Sequence, residues 1–308
     1  MITMHKLFRS VASVLLVLTP FAPAAAQRAA TRAEFVGTLF SPNEQYENFN
    51  RIDELFPVDR VAPSPRARPW RMGRPLALPA QIDVRGRTLD TAQFLRETDT
   101  AALLVIKDGR IRFEQYWLTG GPNVRWLSMS MSKSFVSAMI GIAASEGRID
   151  SINDPVTKYM PELAGSGYDG VSIKDILQMS SGVRWTEDYS DPQSDVFRIA
   201  HIMARGASFA AFPATLTRGH APGTFNRYNS TDTLVLGMLL ERVTGTRIAN
   251  YVQNRLWGPL GATSEAYWLT DEQGLAMSFG GLNATARDYA RIGELYRNGG
   301  RWGRRQIV

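Results

Sequence analysis

The sequence predicts an α+β protein in which an antiparallel sheet is flanked by helices and joined to a mostly helical subdomain. The strands are predicted from 101–106 and 111–117, two apolar runs separated by the tight-turn sequence Lys107-Asp108-Gly109-Arg110. The helices are predicted from apolar residues at helical spacing, which dominate after residue 130. Because a two-stranded ribbon is not a stable sheet by itself, the sheet is predicted to be incomplete in this chain.

The composition of the chain limits its chemistry. The 308 residues are 44% apolar and 21% charged, which is typical of a globular protein. The absence of cysteine excludes disulfides, thiolate metal sites and a thiol nucleophile. The net charge is +6, but no nucleic-acid motif accompanies it, so no nucleic acid partner is predicted. Three histidines without metal-ligand spacing, and no dinucleotide or phosphate-loop motif, predict neither a metal nor a cofactor.

Residues 1–26 are typical of a secretory signal peptide. Lys6 and Arg9 form a basic start, 11–21 form an apolar core, and small residues ending at Ala26 form a cleavage site. The alternative is a buried N-terminal helix. The apolar run is too short to span a membrane, so no stable membrane insertion is expected after cleavage. The prediction is a periplasmic or secreted protein.

The next segment, 27–80, is predicted to be an irregular N-terminal extension, because its aromatic and polar residues follow no clean period. Between residues 60 and 75, five arginines are interleaved with prolines, which predicts an extended arm. A polyanion site is one interpretation of this arm, and a solvated linker is the favoured one.

Five helices are predicted in the rest of the chain from apolar periodicity and from start and stop residues. The first carries Phe135, Met139 and Ile142 at helical spacing and ends near Gly147. The last begins at Thr285, in a sequence like a capping box. The approximate spans are 130–147, 173–179, 231–243, 248–256 and 285–300.

Candidate chemistry centres on Ser130, which is followed three residues later by Lys133. On a helix these two side chains share a face, and a lysine whose pKa is lowered by burial can act as the base that a serine nucleophile needs. This is the chain's only Ser-x-x-Lys, and only 5 of the 35 basic residues are lysines. The alternative is a polar first turn with a solvated lysine.

Tyr228, in the sequence Tyr228-Asn229-Ser230 just before a predicted helix, is the second candidate. A tyrosine can transfer protons if nearby cations stabilise its phenolate, whereas a lone tyrosine more often closes a loop. A Ser–His–Asp triad is poorly supported, because the chain has no Gly-x-Ser-x-Gly sequence and His220 is the one histidine that stays a remote possibility.

Taken together, these segments resemble the serine β-lactamase-like superfamily, and within it the class C branch. That branch includes class C β-lactamases, family VIII esterases, D,D-peptidases and 6-aminohexanoate-dimer hydrolases. The resemblance runs from about Ala101 to Arg301. It is carried by the predicted hairpin, by Ser130-Met131-Ser132-Lys133, by Ile176-Leu177-Gln178-Met179-Ser180-Ser181-Gly182, by Tyr228-Asn229-Ser230 and by Gly280-Gly281-Leu282.

The resemblance implies a role for each candidate residue. Ser130 would be the acylated nucleophile, Lys133 the base that takes its proton, and Tyr228 the group that passes a proton to the leaving group. The Ser130 backbone N–H would form half of the oxyanion hole. Residues 81–308 would form the hydrolase domain, with a small-molecule amide or ester as substrate.

Two departures from the family pattern shape the expected activity. Ser230 occupies a position that is Asn in β-lactamases, which favours linear amides and short acyl esters over β-lactams. The third family motif, a Lys/His-x-Gly on a late strand, is absent, so the chain is expected to be truncated at its C-terminus. The alternatives are a β-lactamase, a D,D-peptidase or a non-catalytic penicillin-binding-like fragment.

Overall fold

A computed structural model describes residues 24–41 and 44–308 of the chain. The helices of the described part are α1 Ala24–Thr38, α2 Glu44–Asn48, α3 Thr91–Glu97, α4 Ser132–Ser145, α5 Ile173–Leu177, α6 Asp195–Ala204, α7 Ser230–Thr244, α8 Ile248–Val252, α9 Gly258–Leu260 and α10 Ala286–Arg297. Its strands are β1 Val58–Val61, β2 Arg71–Met72, β3 Gln81–Val84, β4 Arg87–Asp90, β5 Ala102–Lys107, β6 Arg110–Tyr116, β7 Arg125–Leu127, β8 Ala266–Leu269, β9 Leu282–Thr285, β10 Arg301–Trp302 and β11 Arg305–Gln306.

The central sheet has four antiparallel strands in the order β1-β8-β9-β7. Val58 pairs with Leu269, Tyr267 with Asn283, and Trp126 with Ala284. Every residue of β8 and β9 is buried, so these strands lack the alternation that marks a half-exposed strand. The sequence prediction missed this sheet for that reason.

The predicted hairpin forms as β5 and β6, and β2 joins it as a third strand in parallel. Asp108 and Gly109 both have positive φ, 54° and 67°, as the tight turn requires. Glu114 of β6 accepts two hydrogen bonds from Arg287 of α10, at 2.6 and 2.7 Å. This paired contact fixes the hairpin to the last helix.

The main core lies around α4 and α7, which pack against each other. Phe135, Met139 and Leu239 are at most 1% exposed. At Gly237 of α7, an added Cβ would lie 2.4 Å from Ser278 Oγ, so only glycine allows this close approach. Helix α7 ends at Gly245, whose φ of 68° is typical of a helix C-terminus.

Residues 27–80 are not the irregular N-terminal extension that the sequence predicted. The segment contains most of α1, all of α2 and the two short strands β1 and β2, and β1 is an edge of the central sheet. Phe35 of α1 and Leu39, which follows the end of that helix, pack with Ile52, Phe56 and β8 in a second apolar cluster. The aromatics followed no single period because the helices are short and cover one face of a sheet built from distant strands.

The arginine- and proline-rich stretch within this segment is extended, as predicted, but it is docked on the protein. Trp70 Nε1 donates a hydrogen bond to the Arg287 carbonyl at 2.8 Å, and the Arg68 carbonyl accepts one from Arg291, also at 2.8 Å. These bonds hold the stretch against α10, which is not the behaviour of a solvated linker.

The predicted signal peptide falls outside the described residues, apart from 24–26, which begin α1. In the described part of the chain, no helix has both the length and the apolar character needed to cross a membrane.

Candidate active site

Ser130 lies at the junction between the central sheet and α4. After β7 the chain makes one 3-10 turn, Met129–Met131, and then enters α4. Ser130 was expected on the first turn of the α-helix itself; it is instead on this preceding turn. Met129 has a φ of 44°, a strained value for a residue other than glycine. Ser132 Oγ, which donates to the Ser278 carbonyl at 3.0 Å, helps hold the turn in place.

Lys133 contacts Ser130 directly. Its Nζ donates hydrogen bonds to Ser130 Oγ at 2.9 Å and to the Phe279 carbonyl at 2.8 Å. Burial lowers the pKa of Lys133 to about 8, and the negative charge of Glu187 acts in the opposite direction. A substantial fraction of Lys133 is therefore neutral at mildly alkaline pH, and a neutral amine can take the Ser130 proton.

Tyr228 lies close to Lys133, with its ring centroid 5.0 Å from Lys133 Nζ. Its side chain is 46% exposed and faces the same cavity as Ser130. Partial burial raises the pKa of Tyr228, and hydrogen bonding with Ser130 offsets part of this rise. Burial thus favours the protonated phenol over the phenolate, and a protonated phenol can donate a proton.

Glu187 is a site residue that the sequence prediction missed. Its Oε1 accepts a hydrogen bond from Ser230 Oγ at 2.7 Å, and its Oε2 accepts from Ser230 N at 2.9 Å and from Trp185 Nε1 at 2.8 Å. The position at which the chain departs from β-lactamases is thus occupied by a serine that binds this carboxylate. A glutamate within an aromatic, polar loop was the available indication in the sequence.

The cavity in front of Ser130 has a volume of about 530 Å³. It is lined by Ser130, Trp185, Thr186, Glu187, Asp188, Tyr189, Arg227 and Tyr228. The three predicted residues are therefore brought together: Ser130 and Tyr228 line this cavity, and Lys133 contacts both of them. Its mixed aromatic and polar lining suits a small molecule with an apolar chain and a polar group.

A chain of contacting aromatic rings connects the N-terminal segment, residues 27–80, to this cavity. Trp126 contacts Phe49, Phe49 contacts Phe40, and Phe40 contacts Tyr189, with ring centroids 6.3, 5.8 and 6.4 Å apart. Phe40 and Tyr189 are both about half exposed. The N-terminal segment thus supports one wall of the cavity.

The other sequence candidates do not join this cluster. His220 stacks on Phe225, with ring centroids 4.5 Å apart, and is absent from the cavity lining. Within 24–41 and 44–308, no group of three or more His, Asp or Glu residues is placed to hold a metal ion.

The family model described as Beta-lactamase matches residues 90–307. The chain belongs to the Beta-lactamase family. It is 37% identical over 262 residues to the 6-aminohexanoate-dimer hydrolase of Paenarthrobacter ureafaciens, covering 82% of this chain and 64% of that one. Over 188 residues it is 24% identical to an Escherichia coli (strain K12) protein assigned as a D-alanyl-D-alanine carboxypeptidase, covering 54% and 42%. The chain spans less than two thirds of either relative.

Solved structures confirm the predicted fold class. A protein of Bacillus anthracis assigned as a 6-aminohexanoate-dimer hydrolase superposes with a TM-score of 0.79 at 23% identity, covering 88% of this chain and 73% of that one. A class C beta-lactamase in complex with cefoxitin has a TM-score of 0.52 at 18% identity, covering 69% and 64%. The chain is therefore a homologue of serine hydrolases on this α+β fold, as the resemblance predicted.

Proposed function

We propose that the protein is a serine hydrolase that cleaves linear amide or short acyl ester bonds through an acyl-enzyme on Ser130. The observation that carries the proposal is the 2.9 Å contact between Ser130 Oγ and Nζ of the partly buried Lys133. A serine hydroxyl is a weak nucleophile by itself, and this contact supplies the adjacent base that it needs. Tyr228, which keeps its proton, supplies the acid on the same side of the cavity.

The proposed reaction proceeds in two halves. Neutral Lys133 takes the Ser130 proton while Oγ attacks the substrate carbonyl carbon, and the Ser130 backbone N–H donates to the developing oxyanion. As the tetrahedral intermediate collapses, Tyr228 gives its proton to the leaving amine or alcohol and regains one from the Lys133 ammonium. Water then attacks the acyl carbon, a proton passes back to Ser130 Oγ, and the acid is released.

The substrate preference rests on two features. Ser230 replaces the Asn of β-lactamases and is engaged by Glu187, so it is not free to act as that Asn would. The chain is 37% identical to a 6-aminohexanoate-dimer hydrolase, whose name gives a dimer of 6-aminohexanoate as its substrate. The D-alanyl-D-alanine carboxypeptidase relative makes a D,D-peptidase the second candidate. A non-catalytic protein of this family remains the alternative that the experiment below addresses.

We also propose that the protein is exported, to the periplasm or beyond the cell. The support is the basic start, short apolar run and small-residue site of 1–26. N-terminal sequencing of the exported protein is expected to begin at Gln27. An uncleaved N-terminus on a cell-retained protein would contradict this.

The test of the enzyme is intact mass spectrometry after brief exposure to p-nitrophenyl acetate. The wild type is expected to gain one acyl group, and Ser130→Ala is expected to gain none. Ser137→Ala is the matched control, because Ser137 lies on α4 two turns after Ser130 and its hydroxyl donates to the Ser134 carbonyl of the same helix. No adduct on a cooperatively melting wild type, or an adduct on Ser130→Ala, would reject the proposal. Turnover of a linear amide dimer, a D-alanyl-D-alanine peptide and a chromogenic cephalosporin then ranks the substrates.

A further inference from the structure

Asp232 is a fully buried acidic residue in the first turn of α7, and it takes no part in the reaction proposed above. Asp232 is 0% exposed. Its Oδ1 accepts hydrogen bonds from Tyr168 Oη at 2.9 Å and from Asn229 Nδ2 at 3.0 Å, while its Oδ2 has no partner within hydrogen-bond distance among the residues that the structure describes. A buried polar atom without a partner costs free energy, so such a residue needs an explanation.

Asn229 connects Asp232 to Tyr228. The Asn229 side chain is held at both ends: its Oδ1 accepts from Thr231 N at 2.8 Å and caps α7, and its Nδ2 donates to Asp232. The Asn229 backbone is extended, with φ −144° and ψ 107°. Tyr228, which lines the cavity, is the residue directly before this fixed Asn229.

The surroundings of Asp232 favour its neutral form. The groups that face it are Tyr168, Ser181, Asn229 and, through its charge, Glu187. Burial raises the pKa of Asp232 to about 7, the repulsion from Glu187 adds to the rise, and the hydroxyls of Ser181 and Tyr168 oppose it. Glu187 also binds the Ser230 N–H and hydroxyl. The first turn of α7 therefore involves two carboxyl groups: Asp232 is part of the turn, and Glu187 binds Ser230 from the preceding loop.

We propose that Asp232 is a positioning residue that acts through Asn229 to hold Tyr228 beside Ser130 and Lys133. Its effect falls on the proton transfers and not on substrate affinity. This inference rests on the proposed hydrolase function. The role of the buried Asp232 carboxyl group is then structural: its Oδ1 accepts the two hydrogen bonds that fix the start of α7 and, through Asn229, the direction of Tyr228.

The kinetic test compares three variants with the wild type on p-nitrophenyl acetate. Asp232→Ala is expected to lower kcat at least ~10-fold with KM within ~2-fold, which is the scale of a misplaced proton-transfer group. Asp232→Asn is expected to stay within ~3-fold of wild-type kcat, because its amide oxygen can accept the same two bonds. Thr233→Val is the matched control: Thr233 is 1% exposed in the same turn, and its Oγ1 has no partner.

A second readout does not depend on turnover. Incorporation of 3-fluorotyrosine gives a ¹⁹F resonance for Tyr228, assigned with Tyr228→Phe. We expect that resonance to move in Asp232→Ala and to stay in place in Asp232→Asn and Thr233→Val. Should Asp232→Ala fail to melt cooperatively, Tyr168→Phe replaces it, because this change removes one of the two donors to Asp232.

The outcomes separate the two proposals. Wild-type kcat in Asp232→Ala, an unmoved Tyr228 resonance, or equal losses in Asp232→Ala and Thr233→Val would overturn the positioning role. So would a loss in Asp232→Asn as large as in Asp232→Ala. A wild type that turns over no substrate would reject the hydrolase function alone, and the ¹⁹F shift would still decide whether Asp232 holds Tyr228.

Discussion

At the scale of single residues, the ionisation of Lys133 determines whether Ser130 can lose its proton. Two effects compete at Lys133 Nζ: burial favours the neutral amine, and the Glu187 carboxylate favours the ammonium. Burial is the larger effect, so the pKa falls to about 8. Glu187 fixes the start of α7 through its bonds to Ser230. Its negative charge also raises the pKa of Lys133, and so it favours the protonated form that cannot act as a base.

A pH profile tests this balance. Because the base must be neutral, kcat/KM is expected to be lost as pH falls, with a midpoint near the Lys133 pKa of about 8. Glu187→Gln removes the charge that raises this pKa, so its midpoint should lie at lower pH, whatever its effect on the maximum rate. Profiles of kcat/KM from pH 5 to 10 measure both. A midpoint that stays in place or rises in Glu187→Gln would refute the assignment of Lys133 as the base.

Asp232 gives a stability prediction with a definite sign. Its pKa is raised from an ordinary 3.8 to about 7 in the folded protein. Well below pH 3.8 the group is neutral in both states; between pH 3.8 and about 7 it is ionised mainly in the unfolded state, so the contribution of Asp232 to stability falls as pH rises. The full effect is on the order of 4 kcal/mol, from about 1.4 kcal/mol per pKa unit.

Asp232→Asn should remove that dependence. Urea denaturation at pH 4.5 and 7.5 is expected to show a smaller stability loss on going to pH 7.5 in Asp232→Asn than in the wild type. The comparison between the two proteins cancels the other groups that titrate in this window. An equal pH dependence in both proteins would show that Asp232 is ionised in the folded state.

At the scale of elements, the close approach of α7 to the segment that follows β8 governs both packing and the site. The atoms in contact are those of Gly237 and Ser278. The Ser278 carbonyl accepts from Ser132, and the next carbonyl, that of Phe279, accepts from Lys133. Helix spacing is thereby coupled to the position of the base.

Gly237→Ala is expected to destabilise the protein by roughly 1–3 kcal/mol, because the overpacking cost exceeds the helix-propensity gain of alanine. Gly293→Ala on α10 is the matched control, because an added Cβ there meets nothing within 4 Å, so it should stabilise by about 0.5–1 kcal/mol. Urea denaturation gives both values. Equal effects of the two substitutions would show that the contact with Ser278 is not tight.

The sequence predicted correctly those turns and helix ends that are formed by residues close together in the chain. Asp108-Gly109 fixes a hairpin turn, and the Thr285 side chain accepts from Asp288 N to cap α10, as its spacing indicated. Gly245 ends α7 for the same local reason. The Ser130–Lys133 contact is also local, and it formed although Ser130 sits one turn earlier than expected.

What sequence could not predict depends on pairs that are distant in the chain. Strand β1 pairs with β8 across about 200 residues, and neither has an alternating pattern that marks a partner. The bond between Glu187 and Ser230 joins a loop to a helix start 43 residues later. Such contacts follow from the assembled fold, so residue types and spacing alone leave them undetermined.

At the scale of the whole molecule, the N-terminal segment is part of the same structure as the active site. It supplies β1 to the central sheet and places Phe40 against Tyr189 at the edge of the cavity. Its second apolar cluster packs on β8, whose neighbour β9 pairs with the strand leading to Ser130. Substitutions in this segment should therefore alter kcat/KM.

Phe40→Ala tests that connection. Loss of the ring should leave Tyr189 less ordered and lower kcat/KM for p-nitrophenyl esters about 3–10-fold, by roughly the 0.5–1.5 kcal/mol of an aromatic pair. Tyr296→Ala is the control, because Tyr296 is similarly exposed but lies on α10 and is not part of the cavity lining. Equal kcat/KM values for Phe40→Ala and wild type would show that this contact of the N-terminal segment does not influence catalysis.

The indole of Trp185 gives the protein an internal optical probe. It is 0% exposed, it lines the cavity, and its Nε1 donates to Glu187 at 2.8 Å. Indole emission responds to nearby charge and to loss of water, both of which change when a substrate carbonyl is held at Ser130. Stopped-flow fluorescence should therefore follow acylation and deacylation as separate phases on unlabelled protein, using natural substrates that carry no chromophore.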